Sequence, residues 1–293
     1  MSNIQPGILA DLPRHARYLY FDLVKSADAD TILSILSQMN IFDKTVLGIG
    51  QSVAHMLGTS IPGLVCFPAK AGPAIEIPST PSALWCWIRD DDRGKLVHKT
   101  LEIKNLLAPA FTLEHVIDAF QYTDSRDLSG YVDGTENPTG EDAISTAILN
   151  DQGDGLDGSS FVAVQQWVHD LDFMTSLPQQ SQDDIIGRRI SDNEEIDDAP
   201  ASAHVKRTAQ ESFQPEAFVV RRSMPWAEGE CQGLVFVAFG KNFDAFDALL
   251  NRMIGAEDGI VDALFQFTQP VNGSFYWCPP IKRDSLDLSA LHK

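Results

Sequence analysis

Apolar and polar positions along the chain follow two periods, and the changes between them mark out the elements. Residues 17–24 are rich in β-formers and predict a strand. Between residues 28 and 39, Ile32, Leu33, Ile35, Leu36 and Met39 recur at helical spacing, with Asp30 or Thr31 as the N-cap. Residues 45–50 predict a short strand, 55–61 a helical turn, and 62–81 a proline-rich loop. Residues 83–89 predict a strand and 93–107 a helix that Pro109 ends. Residues 111–126 predict a short helix running into a strand at 119–124.

The same order then returns. Residues 160–169 predict a strand and 173–189 a helix. Strands follow at 218–223 and 234–239. In the helix predicted at 243–254, Phe246, Leu249, Leu250 and Met253 share one face. Strands at 265–268 and 275–277 complete the set. Strand, helix, strand, strand, helix, strand is the order of a ferredoxin-like unit. The expected fold is therefore α+β: tandem ferredoxin-like units, 1–145 and 146–293, joined through 140–158 in a dimeric α+β barrel-like sandwich with helices outside. The halves share the order of elements but little visible sequence. Residues 1–14 are expected to form a polar arm over the surface.

Composition narrows the function classes. The chain has 293 residues, 44% of them hydrophobic and 22% charged, which suits a globular protein. A formal charge of −19 disfavours nucleic acid as a partner. No basic run suggests a membrane surface, and no apolar run approaches the ~20 residues of a membrane span. The net field favours neutral or cationic small molecules. The start of the chain lacks the pattern of a secretory signal. The four cysteines, Cys66, Cys86, Cys231 and Cys278, have no Cys-x-x-Cys spacing, which argues against structural zinc and covalent haem. A reducing cytoplasm is the expected compartment.

Three stretches carry candidate chemistry. In Gly130-Tyr131-Val132-Asp133-Gly134-Thr135-Glu136-Asn137-Pro138 an acid sits among glycines that permit close backbone approach to a flat ligand. Asp-Gly alone is also an ordinary turn dipeptide. Among seven histidines, His204 stands apart because Ala201, Ser202 and Ala203 beside it leave room for a macrocycle. One histidine fixes no metal geometry unless the ligand brings its own donors, as haem does. A core or surface histidine is the competing reading. The third stretch is Phe218-Val219-Val220-Arg221-Arg222-Ser223-Met224-Pro225-Trp226, where Arg221 and Arg222 should point to opposite faces of a strand.

Together these stretches resemble the dye-decolorizing peroxidases, in particular the bacterial B type. The first is similar to the family's distal haem signature, Ala203 to Arg207 to its proximal segment, and 218–226 to its distal arginine strand. Further similarity at 161–171, 186–189 and 262–275 extends the resemblance over essentially the whole chain. Ser223 departs from members that carry asparagine there. The resemblance implies one non-covalent haem b per chain with His204 on the iron. It implies Asp133 and Arg221 as the catalytic pair acting on hydrogen peroxide, favouring acidic pH. Around the cofactor it places Gly134, Thr135, Glu136, Arg207, Arg188 on a propionate, Asp262 behind His204, and Leu234 and Phe236 as walls.

The implied activity reduces hydrogen peroxide and oxidises dyes, phenolics or similar small organic reductants through an oxidised oxo-iron species. Tyr131, Trp167 and Trp226 are candidates for oxidising bulky substrates at the surface. A homo-oligomer is expected. The tail at 284–291 loosely resembles a peptide that docks into an encapsulin shell, but a merely disordered end is the expectation. Two other functions compete: a haem-handling protein for storage, delivery or iron release, and a cofactor-free ferredoxin-like module binding a small hydrophobic ligand.

Overall fold

A computed structural model describes residues 3–39, 45–283 and 285–292. Strand β1 (His15–Leu23) shows how the layers arise. Its alternate residues Leu19 and Phe21 enter one core, while Ala16, Tyr18 and Tyr20 enter another. Period-two alternation thus buries both faces of the sheet. After β1 come α1 (Ala29–Leu36), β2 (Thr45–Ile49) and α2 (Gln51–Met56). The minor pair β3 (Lys70–Ala71) and β4 (Glu76–Ile77) precedes β5 (Leu84–Asp90), α3 (Arg93–Leu107) and β6 (Phe111–Phe120). A linking helix, α4 (Gly140–Ala147), leads to β7 (Ser160–His169), α5 (Leu171–Ser176), α6 (Gln179–Ile186) and α7 (His204–Arg207). The chain continues through β8 (Val220–Arg221), β9 (Met224–Glu228), β10 (Cys231–Gly240) and α8 (Asp244–Met253). Strands β11 (Thr268–Pro270) and β12 (Ser274–Cys278) complete the main sheet.

In the first half the strands lie in the order β2-β5-β1-β6; in the second, β12-β7-β10-β9. Both are ferredoxin-like arrangements of antiparallel strands, as the repeated order of elements predicts. Trp277 pairs with Ile49 and Ala119 with Trp226, which joins the halves at both edges and curls the sheet into a barrel. Closure pairs the edges of the two halves with each other and leaves only the short strands β11 and β8 at the ends of the main sheet among the described residues. Inside the barrel, the rings of Tyr18, Trp85, Trp87 and Tyr276 stack at centroid separations of 6.0 to 6.5 Å. Helices α1, α3 and α8 cover the other face with Ile32, Ile103 and Leu250.

Several elements differ from expectation for identifiable reasons. The second helix spans 51–56 rather than 55–61, because Gly58 turns to φ +68° just beyond it. Residues 111–120 are strand throughout, not a helix entering a strand. The β1 register skips Glu114 between its partners Leu113 and His115, and that bulge puts Leu113, Val116 and Ile117 at pseudo-helical spacing. The helix expected over 173–189 is two, because Pro178 interrupts it. A 3-10 turn occupies 263–266, and strand begins at Thr268.

The described residues of the expected N-terminal arm are anchored in the fold. Ile8 is fully buried, and the Gln5 carboxamide accepts from Leu47 N–H at 2.8 Å and donates to the Leu47 and Pro279 carbonyls at 2.9 and 3.0 Å. At the other end, β13 (Ile281–Lys282) and β14 (Ser285–Leu286) form a small ladder. Leu286, Leu288 and Leu291 are buried in the main core. Residue 284 lies outside the described residues. The leucines a docking peptide would present are already packed, so the tail is not a disordered end.

Candidate active site

The glycine-framed segment lies in the link between β6 and α4. Gly134 sits at φ +78°, a region that β-carbon-bearing residues rarely adopt, and this turns the chain directly after Asp133. The accessible part of the Asp133 side chain opens into a cavity of about 340 Å³. That volume falls within the roughly 300–1,000 Å³ usual for small-molecule and cofactor sites. The cavity lies between the outer face of the second-half sheet and helices α6, α7 and α8. Gln165, Trp167, Arg221, Leu234 and Phe236 line its strand wall, while Ile186, His204, Val205, Leu249 and Met253 line its helical wall.

Burial raises the Asp133 carboxyl above the usual carboxylate range; the Arg221 guanidinium opposes this, Asp127 adds to it, and His204 opposes it. Arg221 Nη1 stands 3.7 Å from Asp133 Oδ1, and Arg221 Nε has no hydrogen-bond partner among the described residues. Strand alternation turns Arg222 away, as expected, and its guanidinium donates to the Leu9 carbonyl. The Ser223 hydroxyl is buried, accepts from Val237 N–H at 3.4 Å and does not line the cavity.

His204 begins the one-turn helix α7. Gly187, at φ +89°, ends α6 so closely against this turn that a Cβ there would run into Val205. His204 Nδ1 lies 2.8 Å from Asp262 Oδ2. Asp262 Oδ1 accepts Leu264 N–H at 2.8 Å, so one buried carboxylate caps the 3-10 turn and orients the imidazole. With Nδ1 so engaged, Nε2 is left for the cavity.

Among the described residues no group of three His, Cys, Asp or Glu could hold a bare metal ion. A metal in this cavity must bring its own donors, and one imidazole facing a broad, mostly apolar slot suits haem. Gln165, Trp167 and Arg221 also line the slot, and Gln165 Nε2, Trp167 Nε1 and Arg221 Nε have no hydrogen-bond partner among the described residues. Each is a buried polar atom that a bound ligand could satisfy. The residues present fit the group.

Of the residues singled out in the sequence, Asp133, Gly134, Thr135, Glu136, Arg188, His204, Arg221, Leu234 and Phe236 meet around this cavity. Asp262 stands behind His204. Arg207 does not reach the cavity: its guanidinium is held by Asp258 through two 2.8 Å contacts and by the Arg252 carbonyl at 2.7 Å. Arg188 contacts Glu136 at 3.2 Å and Glu195 at 3.4 Å. Tyr131, Trp167 and Trp226 are 4%, 5% and 4% exposed, so none offers an oxidisable ring at the surface.

Sequence reasoning missed Gln165, His169 and Asp127. Gln165 and His169 flank Trp167 at alternate positions of β7, so period-two spacing from Trp167 would have found both. His169 Nε2 lies 2.9 Å from Asp127 Oδ2, and its Nδ1 2.5 Å from Thr268 Oγ1. Burial alone would raise the Asp127 carboxyl, but the hydrogen bond and charge of His169, with Ser129, outweigh it and lower it.

Residues 124–283 match the family model described as Dyp-type peroxidase, C-terminal. A dye-decolorizing peroxidase of Mycolicibacterium paratuberculosis is 32% identical over 222 residues, covering 74% of this chain and 62% of that protein. One of Mycobacterium tuberculosis is 32% identical over 228 residues, covering 75% of this chain and 67% of that protein. The match thus spans less than two thirds of the first relative's length. Among solved structures, a dye-decolorizing protein from V. cholerae superimposes with a TM-score of 0.83 at 25% identity, covering 93% of this chain and 96% of that one. A Rhodococcus jostii DypB variant in complex with heme gives 0.86 at 26% identity, covering 93% and 94%.

Proposed function

We propose, since this chain belongs to the Dyp-type peroxidase family, that it is a haem peroxidase of the bacterial B type. It reduces hydrogen peroxide and oxidises dyes, phenolics or similar organic reductants. The observation that carries this reading is the arrangement of a carboxylate-backed imidazole on the helical wall and an Asp133–Arg221 pair reaching the same cavity from the loop and strand side. A haem-handling protein needs neither Asp133 nor Arg221.

One non-covalent haem b bound here supplies the iron that takes up peroxide and exchanges electrons with the reductant. His204 Nε2 would hold it, and Asp262 fixes the imidazole tautomer by accepting from Nδ1–H, which makes the ligand more electron-rich. Arg188, now paired with Glu136 and Glu195, would offer its guanidinium to a propionate carboxylate. Gly134, Thr135 and Glu136, which line the cavity, would contact the group with backbone and side chain.

Asp133 takes the proton from one peroxide oxygen and returns it to the other, making water the leaving group. Arg221 holds a fixed positive charge 3.7 Å from Asp133 and steadies the negative charge that develops as the O–O bond breaks. Leu234 and Phe236 keep the strand wall apolar, which strengthens both effects. Residues 1–145, by this division of labour, supply the acid and residues 146–293 the imidazole and guanidinium. We place the protein in the cytoplasm as a homo-oligomer.

Changing Asp133→Asn together with Arg221→Leu should leave the Soret band in place and abolish the fast reaction with peroxide in stopped-flow mixing. Undiminished turnover by the double variant would remove this mechanism. Absence of any Soret band after haem supplementation of the wild type would remove the haem reading altogether.

A further inference from the structure

Arg221 sits on β8, a strand of two residues whose one neighbour among the described residues is β10. Along a strand, backbone N–H and C=O groups of successive residues point to alternate sides. Arg222 N–H donates to the Val237 carbonyl at 2.8 Å, so the groups of Val219 and Arg221 face away from β10, onto a free edge. Two carboxamides occupy that edge. Asn137 Oδ1 accepts from Arg221 N–H at 2.8 Å, and its Nδ2 donates to the Arg221 carbonyl at 3.0 Å. Gln210 Oε1 accepts from Val219 N–H at 3.1 Å, and its Nε2 donates to the Glu136 carbonyl at 3.1 Å. A carboxamide carries a donor and an acceptor side by side, so it can serve both groups of one residue as a neighbouring strand would.

Asn137 lies four residues after Asp133, and its own N–H donates to the Gly134 carbonyl at 3.1 Å. The loop carrying the acid and the strand carrying the guanidinium are therefore stitched together beside the catalytic pair. We infer that Asn137 is a positioning residue that sets the separation of Asp133 and Arg221, with Gln210 as a second stitch. This rests on the peroxidase reading above. A misplacement of ~1 Å at such a pair can cost on the order of a hundredfold in rate, so a stitch at the backbone of one partner is well placed to control it.

The consequence reaches the acid itself. Asp133 faces Arg221 from β8, Asp127 from its own loop and His204 from α7; of these, Arg221 is the largest influence favouring the charged carboxylate. Loosening the stitch weakens that influence, so Asp133 holds its proton to higher pH, and the acid limb of the peroxide reaction moves up.

The test uses the haem-loaded full chain. Asn137→Ala should slow the peroxide reaction by roughly tenfold or more and move its acid limb to higher pH. Infrared titration of the protonated Asp133 carboxyl, assigned by its loss in Asp133→Asn, should show the same upward movement without recourse to turnover. Asn137→Gln, which restores donor and acceptor on a longer arm, should fall between wild type and Asn137→Ala. A merely structural asparagine would lower the melting temperature and leave both midpoints in place, which overturns the inference. If Asn137→Ala does not fold, Gln210→Leu should shift both midpoints in the same direction by less, and unmoved midpoints there count equally against it. If Asp133→Asn itself reacts with peroxide at the wild-type rate, the peroxidase mechanism fails, not the stitch alone.

Discussion

Asp133, at the cavity wall, and Asp262, buried behind His204, are two carboxylates with opposite tasks, and their surroundings separate them. Asp262 accepts from His204 Nδ1 and from Leu264 N–H, each at 2.8 Å, so every role it has is that of a fixed acceptor. Asp262→Ala should leave Nδ1 unsupported and weaken haem binding by about 10–100-fold in a haem-transfer titration; unchanged affinity would separate this carboxylate from the ligand. Asp133 has no such set of donors, and burial raises its carboxyl. A carboxyl raised in the folded state contributes stability below its unfolded value and loses it as pH rises through the folded value. Asp133→Asn should therefore melt higher than wild type, with an advantage that widens from acid towards neutral pH. An advantage independent of pH would show that the charge is not what burial penalises. Both acids stood out in the sequence through the family's motifs. Asp127 did not, because its partnership with His169 spans 42 residues and local patterning around it carries no trace of that contact, whereas His169 was within reach of the period-two spacing of β7.

At the scale of elements, departures from strict periodicity decided what could be read ahead of the structure. Helix 93–107 was legible to its last residue because Asp92 caps it and Pro109 follows. Strand β6 was not, since the extra residue Glu114 shifts its alternation and imitates a helical face. Residues 173–189 contain the breaker Pro178 in plain view, and the two short helices follow from giving that proline its full weight. Neither end of the chain was legible, because sequence alone cannot show that Gln5 bridges Leu47 and Pro279 or that the terminal leucines pack into the core. Leu288 and Leu291 are 6% and 1% exposed. Leu291→Ala should cost about 2–5 kcal/mol in denaturant unfolding; a loss below about 0.5 kcal/mol, typical of surface changes, would mean the tail is not part of the core. Gln5→Ala should cost about 1–3 kcal/mol through unsatisfied groups on Leu47 and Pro279. The use of a carboxamide as that bridge parallels Asn137 at the strand of Arg221.

For the whole molecule the governing quantity is its charge of −19. Long-range fields of this size draw cations towards a cleft and repel anions, by tenfold or more in encounter rate at low salt. The cavity keeps this sign close at hand, since Glu136, Glu195 and Glu211 line it beside Arg188. Screening reaches about 8 Å at physiological ionic strength and about 3 Å at 1 M, so the distant charges are silenced first and those lining the cavity last. A cationic dye should therefore show a kcat/KM about tenfold or more above that of an anionic dye of like size and potential in dilute buffer. The ratio should fall steeply up to physiological salt and more slowly beyond it, the second phase reporting the glutamates at the cavity. Glu136→Gln with Glu195→Gln should flatten the second phase and leave the first. A dye preference that ignores salt over the whole range would place the selectivity in direct contacts with the substrate, and the field of the molecule would then have no part in choosing the reductant.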